Sequence, residues 1–296
     1  MKRQVDVHQH LWPPALVEEL RRRRQPPYLD GWVLHLDGEP PYAVDPADHD
    51  LTRRAAQEDG LVLLSLSSPL GIESLAPPEA HGLLDAWHGF ADDLPADYGL
   101  WAASALVEPD LDSLAKTLAH DRIHGLQVPA TALTTPSALE ALAPVLDIAQ
   151  QADLPVLVHP GPAAGQASDL PVWWPALTSY VAQQSAAWHS WHVAGRSLLP
   201  TLRIAFVALA GLAPLHHERL AQRGGSLRAV DRHVYYETSS YGTQAIDAMS
   251  RVVGVDPLVN GSDRPYAEPT DPGLGEALSR AIFVANPHHL LTGGDR

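Results

Sequence analysis

Short apolar runs bounded by turn residues alternate along this chain with stretches whose apolar positions recur every three or four residues. The first pattern predicts buried strands, the second amphipathic helices. Strands are expected at Val5–His8, Leu61–Leu66, Leu100–Leu106, Gly125–Val128, Val156–His159, Arg203–Ala208, Val234–Glu237 and Leu258–Gly261. Helices are expected at Pro14–Arg24, Ala47–Asp59, Glu79–Asp92, Leu111–Ala119, Ala138–Ala152 and Leu215–Arg223. Strands that alternate with helices pair in parallel through right-handed crossovers. Eight such units in 296 residues fit a single α/β domain over 1–296, a (β/α)8 barrel of the TIM type. An open doubly wound sheet would need a Gly-rich turn after its first strand, where this chain has His8-Gln9-His10.

Two stretches exceed what a barrel requires. Gln25–Asp45 sets Pro26-Pro27, Asp30-Gly31, Asp37-Gly38 and Pro40-Pro41 around Trp32–Leu36, which predicts a hairpin inserted after the first strand. Loops that follow barrel strands emerge on the C-terminal face, so this insert is placed to cover a site mouth. Gly161–Pro200 predicts a helical insert after the fifth strand and holds Trp173, Trp174, Trp188 and Trp191, half of the eight tryptophans. Trp188 and Trp191 would share a helix face, either packing the extra helix onto the barrel or forming an aromatic wall for a planar substrate.

Composition narrows the chemistry. An apolar content of 45% with 19% charged residues supports an ordinary core. The formal charge of −15 argues against nucleic acid and anionic membrane surfaces as partners. No apolar run reaches the roughly 18 residues of a membrane span, and the N-terminus passes directly into a strand, so a cytoplasmic enzyme acting on a small molecule is expected. The absence of cysteine removes thiolate ligands and nucleophiles, leaving His, carboxylate and water for any metal. The basic block Arg21–Arg24 reads as the solvated end of a helix, where cations suit the dipole.

Catalytic groups in such barrels stand at the C-terminal ends of several strands. The first strand ends in His8 and His10, the fifth in His159, and the eighth runs out to Asp263. Two imidazoles at i and i+2 of a strand point to one side. With 16 His in the chain, about one His-x-His arises by chance, so the pair gains weight only from its position. Three imidazoles and a carboxylate at one barrel mouth suit Zn2+ or Mn2+ with a position open to water.

On these residues the chain resembles the amidohydrolase superfamily, in particular the branch of aminocarboxymuconate-semialdehyde decarboxylase and related metal-dependent hydrolases. The resemblance runs from Asp6 to about Leu291. It is carried by Asp6–His10, Val158–Gly161, the Ala210–Pro214 turn, Glu237-Thr238-Ser239 and Gly261–Pro265. It implies that His8, His10 and His159 are metal ligands and that Asp263 is both ligand and proton carrier. The branch usually shows His-x-Gly-Gly after the sixth strand, its histidine acting as general acid/base; here Ala208 stands at that position. General acid–base help is worth about 10²- to 10⁴-fold, so the departure matters. Three explanations stay open: Asp263 serves alone, a histidine of the inserts (His35, His189 or His192) replaces the missing one, or the protein binds without turnover. Two-metal members carry a lysine on the fourth strand; Gly125–Pro129 has none, which implies a single ion, Zn2+ ahead of Mn2+.

The leading expectation is hydrolysis of a small amide, ester or lactone by metal-activated water with Asp263 as base. Non-oxidative decarboxylation of an aromatic or muconate-like acid is the alternative, and a lapsed binding protein the third. Arg228 and Arg264 are candidates to hold a substrate carboxylate, with surface ion pairing the plainer role. His216-His217 and His288-His289 read as solvated helix positions. A homodimer is expected by analogy with the branch.

Overall fold

The structure is a computed structural model that describes residues 3–294, except 38, 164, 166–169, 228–229 and 269–270. Eight parallel strands appear where the apolar runs place them: β1 Val5–Gln9, β2 Leu61–Leu64, β3 Tyr98–Ala102, β4 Ile123–Pro129, β5 Val156–His159, β6 Ile204–Phe206, β7 Val234–Glu237 and β8 Leu258–Val259. They pair in sequence order. β8 meets β1 through Val7 N–H donating to Asn260 O (3.0 Å) and Asp263 N–H donating to His8 O (2.8 Å), which closes the TIM barrel. The third strand ends earlier than expected because the backbone N–H groups beyond Ala102 are taken elsewhere. Ala103 N–H donates to His88 Nε2 and Leu106 N–H to Glu73 O.

The barrel interior is filled by Val5, Val7, Leu63, Trp101, Leu157, Ala205, Val207, Tyr235 and Val259, with Leu290 packed against them. Trp101 is the largest of these and donates its indole N–H to Val7 O at 2.8 Å. Gly125 makes room for it, since a Cβ there would stand 2.3 Å from the indole ring. A second core lies between the strands and the helices α1 Pro14–Arg22, α2 Pro77–His88, α3 Leu111–Leu118, α4 Pro136–Gln151, α5 Ser179–Ser190, α6 His217–Gln222, α7 Thr243–Val253 and α8 Asn286–Thr292. α4 shows why these segments are helical: the Thr135 hydroxyl caps its first turn, and Leu139, Leu142, Val145, Leu146 and Ala149 put one face in the core. The expected Ala47–Asp59 helix is broken in two, because the Asp50 carboxylate accepts the N–H groups of Thr52 and Arg53 and starts a new helix at Leu51.

The first insert contains the expected hairpin, Tyr28–Asp30 against Val33–His35, turned at Gly31 with φ +62°. It is extended to three strands by Tyr42–Ala43. The second insert is helical and built around α5. Trp188 and Trp191 are buried, and Trp188 donates to the Tyr236 hydroxyl at 3.1 Å, so this pair packs the insert onto the barrel. α1 ends two residues earlier than expected: Arg21 and Arg22 close it and pair with Glu18 and Glu19, while Arg23 turns extended and pairs, largely buried, with Glu79. No helix among the described residues is long and apolar enough to cross a membrane.

Candidate metal centre

β1 brings His8 and His10 to the barrel mouth by an irregularity. Val5 pairs with Leu61, Asp6 with Val62, and Gln9 with Leu64, so three steps on β1 match two on β2. This β-bulge resets the alternation. Val5 and Val7 face the interior, and beyond the bulge Gln9 faces outward beside Leu64 while His8 and His10 turn inward. Asp6 secures the bulge: its Oδ1 accepts the N–H of His8 (3.1 Å) and of Ser262 (3.0 Å), and its Oδ2 accepts from Gln9 Nε2 (2.8 Å). Arg54 braces the outer side, donating to Gln9 Oε1 and to His10 O.

β5 delivers His159 in phase with the interior Leu157. Two glutamines of α5 hold its exit, Gln184 donating to Val158 O and Gln183 accepting from Gly161 N–H. Asp263 follows β8, with φ +60° and its N–H tied to His8 O. The ligand atoms of His8, His10, His159 and Asp263 all lie within 4.8 Å of one another. His8 Nε2 is 3.1 Å from His10 Nε2, and Asp263 Oδ1 is 3.1 Å from His10 Nε2 and 3.6 Å from His8 Nε2. The three rings meet edge to face with centroids 4.9 to 5.0 Å apart.

The hydrogen bonds of the rings set their tautomers. His10 Nδ1 donates to Ser65 O and His159 Nδ1 to Pro160 O, both at 2.9 Å, so the Nδ1 atoms carry the hydrogens. His8 Nδ1 faces the Glu237 carboxylate at 3.5 Å. The Nε2 lone pairs of His10 and His159 therefore face the cluster. A tetrahedral shell with bonds of about 2.1 Å sets its ligands about 3.4 Å apart, close to the 3.1 Å that separates the Nε2 atoms of His8 and His10. The residues present fit a divalent metal. Burial, followed by the neighbouring imidazoles, holds His159 well below the usual imidazole range, and burial lowers His10. Burial also opposes charge on His8, but Glu237, Asp263 and Asp6 outweigh it and raise that ring.

Glu237, at the end of β7, was part of the recognised pattern without an assigned task. It is fully buried and held by the N–H of Ala208 (3.0 Å), the N–H of Ser239 (2.6 Å) and the Ser239 hydroxyl (2.8 Å). Gly261 makes room for it, since a Cβ there would lie 2.2 Å from Oε1. A carboxylate behind a ligating imidazole fixes the ring and raises its basicity. A charged residue ending an otherwise apolar buried strand was the available signal. Tyr266 also approaches the site, its ring 5.4 Å from that of His10.

Other candidates lie elsewhere. His35 stacks on Tyr28, His189 bonds Ser185 O, and His192 bonds Ser226 O and stacks on Trp188. None joins the cluster, so the structure does not supply the missing imidazole from these three. Arg264 pairs with the largely buried Glu58 (2.9 Å) and the exposed Glu268 (3.3 Å), so only the second is the expected surface ion pair. Arg228 lies outside the described residues. His216 is exposed, whereas His217 and His288 are half-buried and contact backbone carbonyls, so solvation does not account for them fully.

No family model and no curated protein matches the sequence. Solved structures do share the fold. IDCase from Metarhizium anisopliae superposes with a TM-score of 0.79 at 19% identity, covering 97% of this chain and 96% of that one. The 5-carboxyvanillate decarboxylase from Novosphingobium aromaticivorans, complexed with manganese and 4-hydroxy-3-methoxy-5-nitrobenzoic acid, gives 0.74 at 16%, covering 97% and 95%. The 2,6-dihydroxybenzoate decarboxylase from Rhizobium gives 0.70 at 16%, covering 98% and 99%. At the level of fold, these similarities bear out the resemblance read from the sequence.

Proposed function

We propose that this chain is a metal-dependent enzyme of the amidohydrolase superfamily that decarboxylates an aromatic or muconate-like acid without oxidation. The observation that carries this reading is the convergence of three imidazole Nε2 atoms and Asp263 at the mouth of a barrel that decarboxylases share. His8, His10, His159 and Asp263 would hold one ion, Mn2+ or Zn2+, both of which accept imidazole and carboxylate. When bound, the metal supplies Lewis-acid stabilisation of a substrate oxygen.

The chain's own residues account for the proton. The bond between the ring carbon and the carboxyl group breaks, carbon dioxide leaves, and the electron pair stays on the carbon. Asp263, the most open of the four with 24% of its side chain exposed, delivers the replacing proton and is recharged from solvent. One delivery suffices, and no nucleophile is required. That demand suits a site in which Ala208 occupies the place of a second acid/base group. Hydrolysis of an amide, ester or lactone is the second reading, favoured by the same exposed carboxylate beside the imidazoles, which could take a proton from water. It asks Asp263 to accept one proton and return another to the leaving group.

The test is carbon dioxide release from a panel of hydroxybenzoates by metal-loaded protein, with ester and lactone substrates in parallel. Asp263→Asn should lower turnover about 10²- to 10⁴-fold while elemental analysis still finds metal. Full activity in that variant would exclude Asp263 as the acid, and silence on every carboxylic acid with turnover of a lactone would establish the second reading.

A further inference from the structure

Behind His10 lies a buried polar cluster that the proposed chemistry does not use. Segment 65–68 leaves the end of β2 and touches the metal centre directly: Ser65 O accepts the His10 Nδ1 hydrogen, and Ser67 Oγ lies 3.3 Å from the same nitrogen. Ser67 Oγ also accepts from Trp12 Nε1 at 3.0 Å. Two side chains hold this segment from the other side. Gln127, on β4, donates to Leu66 O (2.6 Å) and to Ser68 Oγ (2.7 Å). Ser68 in turn donates its hydroxyl to Glu73 Oε1, and the Glu73 carbonyl accepts the N–H of Leu106 at 2.7 Å. Ser65, Ser68 and Gln127 are fully buried, and Glu73 is 1% exposed.

We propose that Glu73 is a positioning residue for His10, clamping segment 65–68 through Ser68 and Gln127 so that the Ser65 carbonyl fixes the aim of the ring. A buried carboxyl is costly unless hydrogen-bonded; Glu73 receives the Ser68 hydroxyl at Oε1, with Gln127 and its own backbone N–H beside it, while Oε2 and Gln127 Oε1 make no hydrogen bond. Burial pushes Glu73 up to about 7, so near neutral pH a large share of the group is the neutral acid, able to accept and to donate. The cluster stands one hydrogen bond away from a ligating imidazole, where such partners tune affinity. The metal half of this inference rests on the proposed metal centre.

The experiment titrates metal-free protein with Mn2+ in the wild type, E73Q, E73L and S68A, each repeated in a His10→Ala background, with folding checked by circular dichroism and melting. In parallel, nitrogen-15 spectra of the metal-free proteins follow the His10 Nδ1 hydrogen. E73L and S68A should weaken Mn2+ binding about tenfold, E73Q should stay within about twofold, and the E73L effect should vanish once His10 is alanine. The His10 Nδ1 hydrogen should exchange faster in E73L and S68A. Wild-type affinity in folded E73L, or a loss that persists in the His10→Ala background, would overturn the assignment. If E73L does not fold, S68A decides by the same criteria. If the wild type binds no Mn2+, the metal reading fails by itself, and an unchanged His10 hydrogen in E73L and S68A then overturns the role of Glu73.

Discussion

The exits of β1 and β6 face the same barrel mouth and are built in opposite ways. β1 leaves through side-chain chemistry: His8 and His10 point inward, while Asp6, Gln9 and Arg54 hold the bulge from behind. β6 leaves through Ala208, Leu209, Ala210, Gly211 and Leu212, with φ of 50°, 50°, 56°, 58° and 60°. One left-handed turn containing four residues other than glycine costs about 1–2 kcal/mol for each of them. Burial of Leu209 and Ala210 works against that cost, and Gly211 gives the turn clearance, since a Cβ there would stand 2.4 Å from Val181 O on α5. The turn contributes no titratable group, yet its Ala208 N–H holds Glu237, which faces His8. A strand exit can thus serve a site through backbone geometry after the side chain with the chemistry is absent.

Acid should strain the β1 side more than the β6 exit, which carries no titratable group. His49 accepts the Trp12 N–H at Nδ1 (3.0 Å), stacks on Trp12, and burial lowers it to about 4. The unfolded imidazole, near its ordinary 6.5, takes up a proton that the folded one refuses. The stability His49 provides is complete above that value and is lost as pH falls through 4, by about 3 kcal/mol. Urea unfolding at pH 7 and pH 4.5 should show this loss, and His49→Asn, which keeps an acceptor for Trp12 without the titration, should reduce the pH dependence. An equal slope in both proteins would remove His49 as the cause.

Gly261→Ala strikes the point where the two exits meet, because the new Cβ must displace Glu237. Metal affinity should fall about 10- to 100-fold, and stability by about 1–3 kcal/mol. Unchanged Mn2+ titration would show that Glu237 does not support His8. The smallest effect is expected from Ala208→His. Histidine tolerates a positive φ better than most residues, so the variant should fold, and turnover should change by less than about tenfold if Asp263 carries the proton as proposed. A gain of a hundredfold or more would identify the natural protein as a lapsed enzyme.

Much of this was readable along the chain. The β strands declared themselves as short apolar runs between turn signals, and the candidate ligand set followed from asking which residues close those runs. What escaped the reading depended on partners distant in sequence. Glu73 stands in an unremarkable turn until Ser68 and Gln127 are brought to it, and the third strand of the first insert, Tyr42–Ala43, is too short to show a period of its own. The insert histidines were plausible by position, but stacking and carbonyl contacts within and beside the inserts engage them elsewhere.

The order of strands and helices, the oxygen and nitrogen character of the site, and the want of a histidine at position 208 are properties of the sequence alone, because they depend on residue type and local spacing. The direction in which His8 and His10 point is not. Strict alternation from the inward Val5 and Val7 would turn both imidazoles out of the barrel. Only the slip of register between Asp6 and Gln9 against Val62 and Leu64 turns them in, and register is a relation between two strands that neither contains by itself.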